Sequence, residues 1–399
     1  MRRLLVVLFL AGCTPPEPPA PLTEFPEVSA LPERPELPPL FDSFNSKHVA
    51  KTAADWNDWR RPQLIALFDH YVYGARPPMV DVSSTRTASY DGLVPGARWE
   101  EWDLQLGGDA RAVLHVAVIK PLSATGAPPV IVGLNKCGNQ SLVADPRVRL
   151  TTSLVIPACG TSAAQTRGTQ ATLWPLERII QRGFAVVTFH ESDAAPDDDE
   201  KFATMLRASF RAPEGTPPRA SWGTLSIWAW ALAHVGAWTA TETGLDSTRI
   251  AVFGHSRRGK AALLSGAVTN TFAAVIAHQS GTGGAALNRS AEGETIELIN
   301  LAFPHWFDDV YPGFANAETK TPVDQHQLLA LWAPRRVVLV DADEDRWADP
   351  DGAFAASVAA QPAWTLLGAS TDLVSWQQRL GMHSVEPSDW ELFLDALGW

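Results

Sequence analysis

Cysteine is scarce in this chain, three in 399 residues, too few for a disulfide framework to stand in for an apolar core. An excess of basic charge is also missing. Lys and Arg number 32 against 44 Asp and Glu, a formal net charge of -12, which excludes a surface built to neutralise phosphate and so a nucleic-acid partner. No H-E-x-x-H or comparable ligand cluster occurs, which argues against a metal-dependent hydrolase. Neither an internal repeat nor a second domain can be read. What is present is 46% apolar residues, enough to bury one sizeable core in a chain of this length.

The N-terminus reads Met1-Arg2-Arg3 followed by the apolar run Leu4 to Leu10. That run is shorter than the roughly 20 residues a membrane-spanning helix needs, but it fits a secretory h-region. It ends in Leu10-Ala11-Gly12-Cys13, which resembles the lipobox of bacterial lipoproteins, where the Cys is diacylated and becomes the new N-terminus. An ordinary signal peptide ending in Cys is the alternative. Acyl chains on Cys13 would turn an exported protein into an anchored one. Pro15 to Pro39 holds ten prolines in 25 residues, a composition that favours stiff, extended backbone. The expected division is a lipoprotein signal peptide over 1–12, a Pro-rich tether over 13–40 and a single domain over 41–399. Cys137 and Cys159 form an even pair in an oxidising compartment; a disulfide is expected, with two free buried thiols as the alternative.

From Trp99 onward strand-like runs alternate with helix-like ones, which predicts an α/β fold with a mainly parallel sheet covered by helices on both faces. The strand candidates are Trp99-Leu106, Ala112-Ile119, Pro129-Leu134, Phe184-Phe189, Arg249-Phe253, Ala273-Ala277, Arg336-Val340 and Trp364-Leu367. Eight strands, the first two antiparallel, is the count of an α/β-hydrolase three-layer sandwich. Continuous apolar runs such as Phe184 to Phe189 suit strands buried on both sides. Helical stretches fall at Trp174-Arg182, Thr224-Thr241, 256–268 and 388–397, the last opening with Ser388 and Glu391 as a capping box. Phe41 to Arg98 is less regular and is placed at the sheet edge.

The chemistry centres on Phe253-Gly254-His255-Ser256-Arg257-Arg258-Gly259-Lys260, which reads strand, tight turn, helix. A Ser at the apex of such a turn stands above the sheet, and the flanking glycines let strand and helix approach, the mechanics of a nucleophile elbow. Here the second Gly lies three residues after the Ser instead of two, so the pattern by itself is weak. In this fold the partners follow in the order Ser, acid, His. Among ten His only His383 lies beyond the seventh strand candidate, and chain order makes it the base. After Arg336-Val340 comes Asp341-Ala342-Asp343-Glu344-Asp345. Asp345 lies at the offset a loop needs to reach the imidazole, whereas Asp341 is nearly still on the strand and Asp349, before Pro350, suits a helix N-cap. Asp345 is the expected acid. The backbone N–H of Arg257 is an expected oxyanion donor.

With Gly254-His255-Ser256-Arg257-Arg258-Gly259-Lys260 in view, the chain resembles the glucuronoyl esterases, carbohydrate esterase family 15, of bacterial type. Further blocks follow in family order: Gly133-Leu134-Asn135, Ser192-Asp193, Pro196-Asp197, Gln279-Ser280-Gly281, Phe303-Pro304-His305-Trp306 and Asp345-Arg346-Trp347. The resemblance implies a serine esterase, without cofactor, that cuts the ester between 4-O-methyl-glucuronate on glucuronoxylan and lignin alcohols. It implies Ser256 as nucleophile, His383 as base and the Arg257 side chain as a further hold on the oxyanion. Lys260, Glu294 and Trp347 fall where sugar-contacting residues lie. One position departs from many members, which carry the triad acid as a Glu where this chain has Gln279. An amide cannot hold the charge, so Asp345 must bear that role alone. Sixteen Trp is unusually many, and exposed ones would suit stacking on sugar or lignin rings. Acetylated xylan is the alternative substrate, and a non-catalytic polysaccharide-binding surface protein the alternative from another class. The chain is expected to be a monomer, exported and held to the cell envelope by its lipid.

Overall fold

The computed structural model describes residues 18–107, 112–201, 210, 222–242, 244–290 and 292–399. At the centre of these lies a nine-stranded sheet: β1 (Val82–Asp91), β2 (Ala97–Leu106), β3 (Ala112–Pro121), β4 (Val130–Asn135), β5 (Ala185–His190), β6 (Ile250–His255), β7 (Ala274–His278), β8 (Arg336–Ala342) and β9 (Val374–Arg379). Their spatial order is β1-β2-β3-β5-β4-β6-β7-β8-β9. The first three strands run antiparallel and β3 meets β5 antiparallel; from β5 to β9 all neighbours are parallel. This is the mainly parallel α/β-hydrolase sheet that the alternation of elements predicts.

Period-two alternation divides the central strands between two cores. Val130, Val132, Leu134, Val187 and Phe189 point to one face, against the helices Thr224–Thr239 and Arg257–Val268. Ile131, Val186, Ala251 and Phe253 point to the other, beneath Trp174 and the helices Leu176–Gln181 and Asp389–Leu397. Both faces need covering, so every residue of β4 and β5 is buried, and the strands read as unbroken apolar runs.

The structure departs from the sequence reading at the edges. β1 lies within the stretch taken as irregular, and the last strand is Val374–Arg379, not Trp364-Leu367. Trp364 instead belongs to the helix Pro362–Leu366, its indole donating to the Arg335 carbonyl. Both edge strands are largely polar and mostly exposed or half-buried; with no neighbour on one side they need no apolar run. The helix Asp389–Leu397 forms, but Ser388 makes no side-chain cap. Glu391 is drawn away to ion pairs with Arg178 and Arg182.

Cys13, the expected lipidation site, and the expected signal peptide before it lie outside the described residues. Most of the Pro-rich stretch, from residue 18 on, is described, and it is not a free tether. Arg60 donates to the carbonyls of Pro39 and Leu40, Gln327 to Pro39, and Tyr71 to Pro26, while Leu31 is buried in the core and Phe25 stacks on His70. Proline removes a donor but leaves its carbonyl, and side chains of the domain satisfy those carbonyls. The packed part of the molecule therefore begins well before Phe41.

Candidate active site

Ser256 sits between β6 and the helix Arg257–Val268 with φ 58° and ψ -129°, a left-handed conformation that non-glycine residues rarely adopt and that costs on the order of 1–3 kcal/mol. The turn is held from outside: the Ser256 N–H donates to the His278 carbonyl at 2.8 Å. Any side chain at Gly254 would collide with the Arg258 carbonyl, 2.1 Å from an added Cβ. Strand and helix can therefore cross this closely only over glycine, and the wider spacing to Gly259 still makes an elbow.

Ser256 and His383 line the same cavity of about 450 Å³. His383 Nδ1 lies 2.6 Å from Asp345 Oδ2, and the carboxylate is buried while the imidazole is part-exposed. An acidic partner at Nδ1 fixes the tautomer that leaves Nε2 free to accept a proton. Asp345 is itself held, its other oxygen accepting from the Ala348 N–H. As the offsets suggested, Asp341 is still on β8, and Asp349 caps the next helix through the Gly352 N–H. Gln279, where an acid might have stood, braces the base: its Nε2 donates to the Met382 carbonyl and its Oε1 accepts from the Ser384 N–H. It grips the chain on both sides of His383. Underneath, the ring of His255 lies 4.7 Å from that of His383, and its Nδ1 meets His278 Nδ1 at 3.2 Å. Burial pushes both of these histidines well below the usual range, so they pack as neutral rings.

Arg257 extends over the rings of Phe303 and Trp306, 4.5 and 4.3 Å from their centroids, and its Nη1 meets Asp197 Oδ2 at 2.6 Å. Asp197 also accepts from Trp306 Nε1 and contacts His305 Nε2. Burial alone would raise that carboxyl, but the His305 hydrogen bond, the Arg257 charge and the Trp306 hydrogen bond outweigh it and hold it well below the usual carboxylate range. A guanidinium with one edge paired and its faces stacked is fixed in place beside the serine. Arg258 is tied in the same way to buried Glu191. Sequence reasoning quoted Asp197, Phe303 and Trp306 within family blocks without a role; the signal available was their type, one acid and two aromatics, which is what a fixed guanidinium requires.

Lys260, Glu294 and Trp347 lie close to one another, and none of them lines the cavity that Ser256 and His383 share. Lys260 is 4% exposed, and its ammonium donates to the Ser280 carbonyl at 2.7 Å and to the Thr282 carbonyl. Burial, partly offset by Glu294, brings it down to about 8. The Glu294 N–H donates to the Trp347 carbonyl. Burial raises its carboxyl, against the Lys260 charge and a hydrogen bond from the Trp347 side chain. Trp347 is 54% exposed, so it is no core aromatic. Cys137 and Cys159 are bridged, pinning the segment Pro157–Cys159 to the end of β4.

Asp341, four residues before Asp345, is buried and raised to about 8, chiefly by burial, against hydrogen bonds from the Trp376 indole and the Gln279 backbone N–H. A carboxyl that holds its proton more tightly folded than unfolded stabilises the fold fully below its unfolded value near 4, and loses that contribution as pH rises through about 8. Asp341→Asn keeps an acceptor for Trp376 without the titration. Thermal unfolding of this variant should therefore fall less between pH 5 and pH 8 than that of the parent, by a few degrees; an unchanged difference would show Asp341 to be ionised in the fold.

A sequence model described as fungal glucuronyl esterase matches residues 172–368. A prokaryotic carbohydrate esterase of unknown organism is 32% identical over 366 residues, covering 86% of this chain and 85% of that protein. The 4-O-methyl-glucuronoyl methylesterase of Hypocrea jecorina is 31% identical over 183 residues, covering 44% of this chain and 40% of its own length. Among solved structures, a promiscuous esterase of carbohydrate esterase family 15 from a marine bacterial metagenome superposes with a TM-score of 0.82 at 31% identity, covering 93% of this chain and 98% of that one. The glucuronoyl esterase of Solibacter usitatus gives 0.82 at 29% identity over 93% and 98%. Fold, sequence and an elbow serine sharing a cavity with a His–Asp pair agree, and the chain belongs to carbohydrate esterase family 15, the glucuronoyl esterases.

Proposed function

We propose that this enzyme hydrolyses the ester joining (4-O-methyl-)glucuronate of glucuronoxylan to a lignin alcohol. The observation that carries this reading is the strained Ser256 elbow opening into one cavity with the imidazole that Asp345 orients. In this mechanism His383 takes the hydroxyl proton as Ser256 Oγ attacks the C6 carbonyl. The oxyanion forms against the Arg257 N–H and the positive charge of its fixed guanidinium. His383 passes its proton to the leaving alcohol, and the same imidazole then activates water to release glucuronate and free the serine. Lys260, Glu294 and Trp347 hold the sugar: a buried ammonium and carboxyl for hydroxyls, an exposed indole for a ring face.

The short apolar run before Cys13 supports export, and the lipobox-like ending supports a lipid anchor at the cell envelope. Purified enzyme assayed on benzyl glucuronate and on an acetyl ester of xylan tests the substrate. Benzyl glucuronate should be preferred by at least tenfold in kcat/KM; the opposite preference would make the enzyme an acetyl xylan esterase.

A further inference from the structure

Lys260 and Glu294 take their places from a stretch after β7, residues 279–290, that forms neither helix nor strand. The Lys260 ammonium donates to the carbonyls of Ser280 and Thr282, and the Thr282 hydroxyl donates to the Glu294 carbonyl. Here the backbone passes through Gly281 and Gly283 in the left-handed region, at φ 57° and 68°. Glycine makes such a path possible but lends it no stiffness of its own. What fixes the two charged groups must therefore act on this stretch from outside.

Three side chains behind it do so. Tyr73 Oη donates to the Gly283 carbonyl at 2.8 Å and Gln325 Nε2 to the Gly284 carbonyl at 2.6 Å, while Asp324 Oδ1 accepts from the Asn288 N–H at 2.8 Å. Asp324 caps the helix Gln325–Ala330 and Gln325 begins it, so the placement of that helix end decides the placement of the stretch. The Asp324 side chain is fully buried, and a buried carboxylate needs a charged partner.

Arg289 is that partner, its side chain 4% exposed and its Nη1 2.9 Å from Asp324 Oδ2. Every N–H of the guanidinium is placed. Nη1 also donates to Thr321 Oγ1, Nη2 to the carbonyls of Thr319 and Thr321, and Nε to the carbonyl of Arg34. A planar fork with five donors can serve such a cage, and a point-like ammonium cannot. The last of these acceptors belongs to the Pro-rich segment. The Arg34 N–H in turn donates to the Thr319 carbonyl at 2.8 Å, and His326 and Gln327 donate to the carbonyls of Pro38 and Pro39 at 3.0 Å. The Gln279 N–H, by contrast, is tied to the Val340 carbonyl on β8 at 3.0 Å, so a shift of the chain beyond it leaves the brace on His383 in place.

Resting on the reading of Lys260 and Glu294 as sugar-binding groups, we infer that Arg289 is a positioning residue for sugar recognition. It locks the start of the helix Gln325–Ala330 and, through Asp324 and Gln325, the stretch that sets Lys260 and Glu294, with the Pro-rich segment closing the cage at Arg34. The sugar-binding groups are thus held from behind by the N-terminal segment of the same chain.

The test is the steady-state kinetics of Arg289→Lys on benzyl glucuronate and on 4-nitrophenyl acetate, which calls on Ser256 and His383 but offers no sugar. Lysine keeps a charge beside Asp324 and cannot reach the other acceptors. KM for benzyl glucuronate rises about tenfold with kcat roughly within twofold of the parent, the signature of lost uniform binding, while kcat/KM for the acetate is unchanged. Thr321→Val has the same shape without the Oγ1 acceptor and raises the same KM roughly two- to fivefold, the loss of one hydrogen bond; it decides alone should Arg289→Lys not fold. An unchanged KM for benzyl glucuronate, or a loss on the acetate as large as that on the glucuronate, overturns the positioning role. A parent enzyme that hydrolyses the acetate and not benzyl glucuronate refutes instead the functional reading on which that role rests.

Discussion

Ser256→Ala is expected to lower kcat on a glucuronate ester by at least about 10⁴-fold, the scale seen when a serine hydrolase loses its nucleophile. The fold should be unaffected. Serine and alanine have the same Cβ, so the strain at φ 58° is common to both, and the elbow is held by backbone contacts and by Gly254, not by the hydroxyl. Residual turnover would come from binding and the oxyanion donors alone. Steady-state kinetics with thermal unfolding separates the cases: lost turnover at an unchanged melting temperature supports Ser256 as nucleophile, while unchanged turnover removes it from the mechanism.

The second large effect concerns the acid. Asp345→Asn should cost about 10⁴-fold in kcat, because the amide can present its N–H to His383 Nδ1 and favour the wrong tautomer. Gln279→Ala should cost less, roughly ten- to hundredfold, through loss of position alone. The geometry sets this ranking. Asp345 touches the imidazole at 2.6 Å, whereas Gln279 touches only the backbone at Met382 and Ser384. The reverse ranking would reassign the acid.

Some of this was legible without coordinates. The elbow is a local feature, and a strand ending at Gly254 with a helix starting at Arg257 follows from an apolar run, a glycine and a helical stretch in succession. His383 and Asp345 emerged from chain order, since the fold feeds the acid and the base to the site from successive loops at one end of the sheet. The edge strands were not legible. β1 and β9 carry serine, threonine, glutamine and arginine, and a buried tryptophan with leucines made Trp364-Leu367 look more like a strand than either. The role of residues 18–40 escaped for a related reason: a proline-rich run reads as extended, and only the position of Arg60, Tyr71 and Gln327 shows that its carbonyls are taken.

The sequence by itself determined the class of fold and named the candidate nucleophile, base and acid, because each rests on short-range pattern or on order along the chain. Only the tertiary structure decided what surrounds them: that Asp197, Phe303 and Trp306 hold Arg257, and that Gln279 braces the His383 loop. Those contacts join residues tens to hundreds of positions apart, and no periodicity encodes a meeting that depends on how loops from different strands are packed above one edge of the sheet.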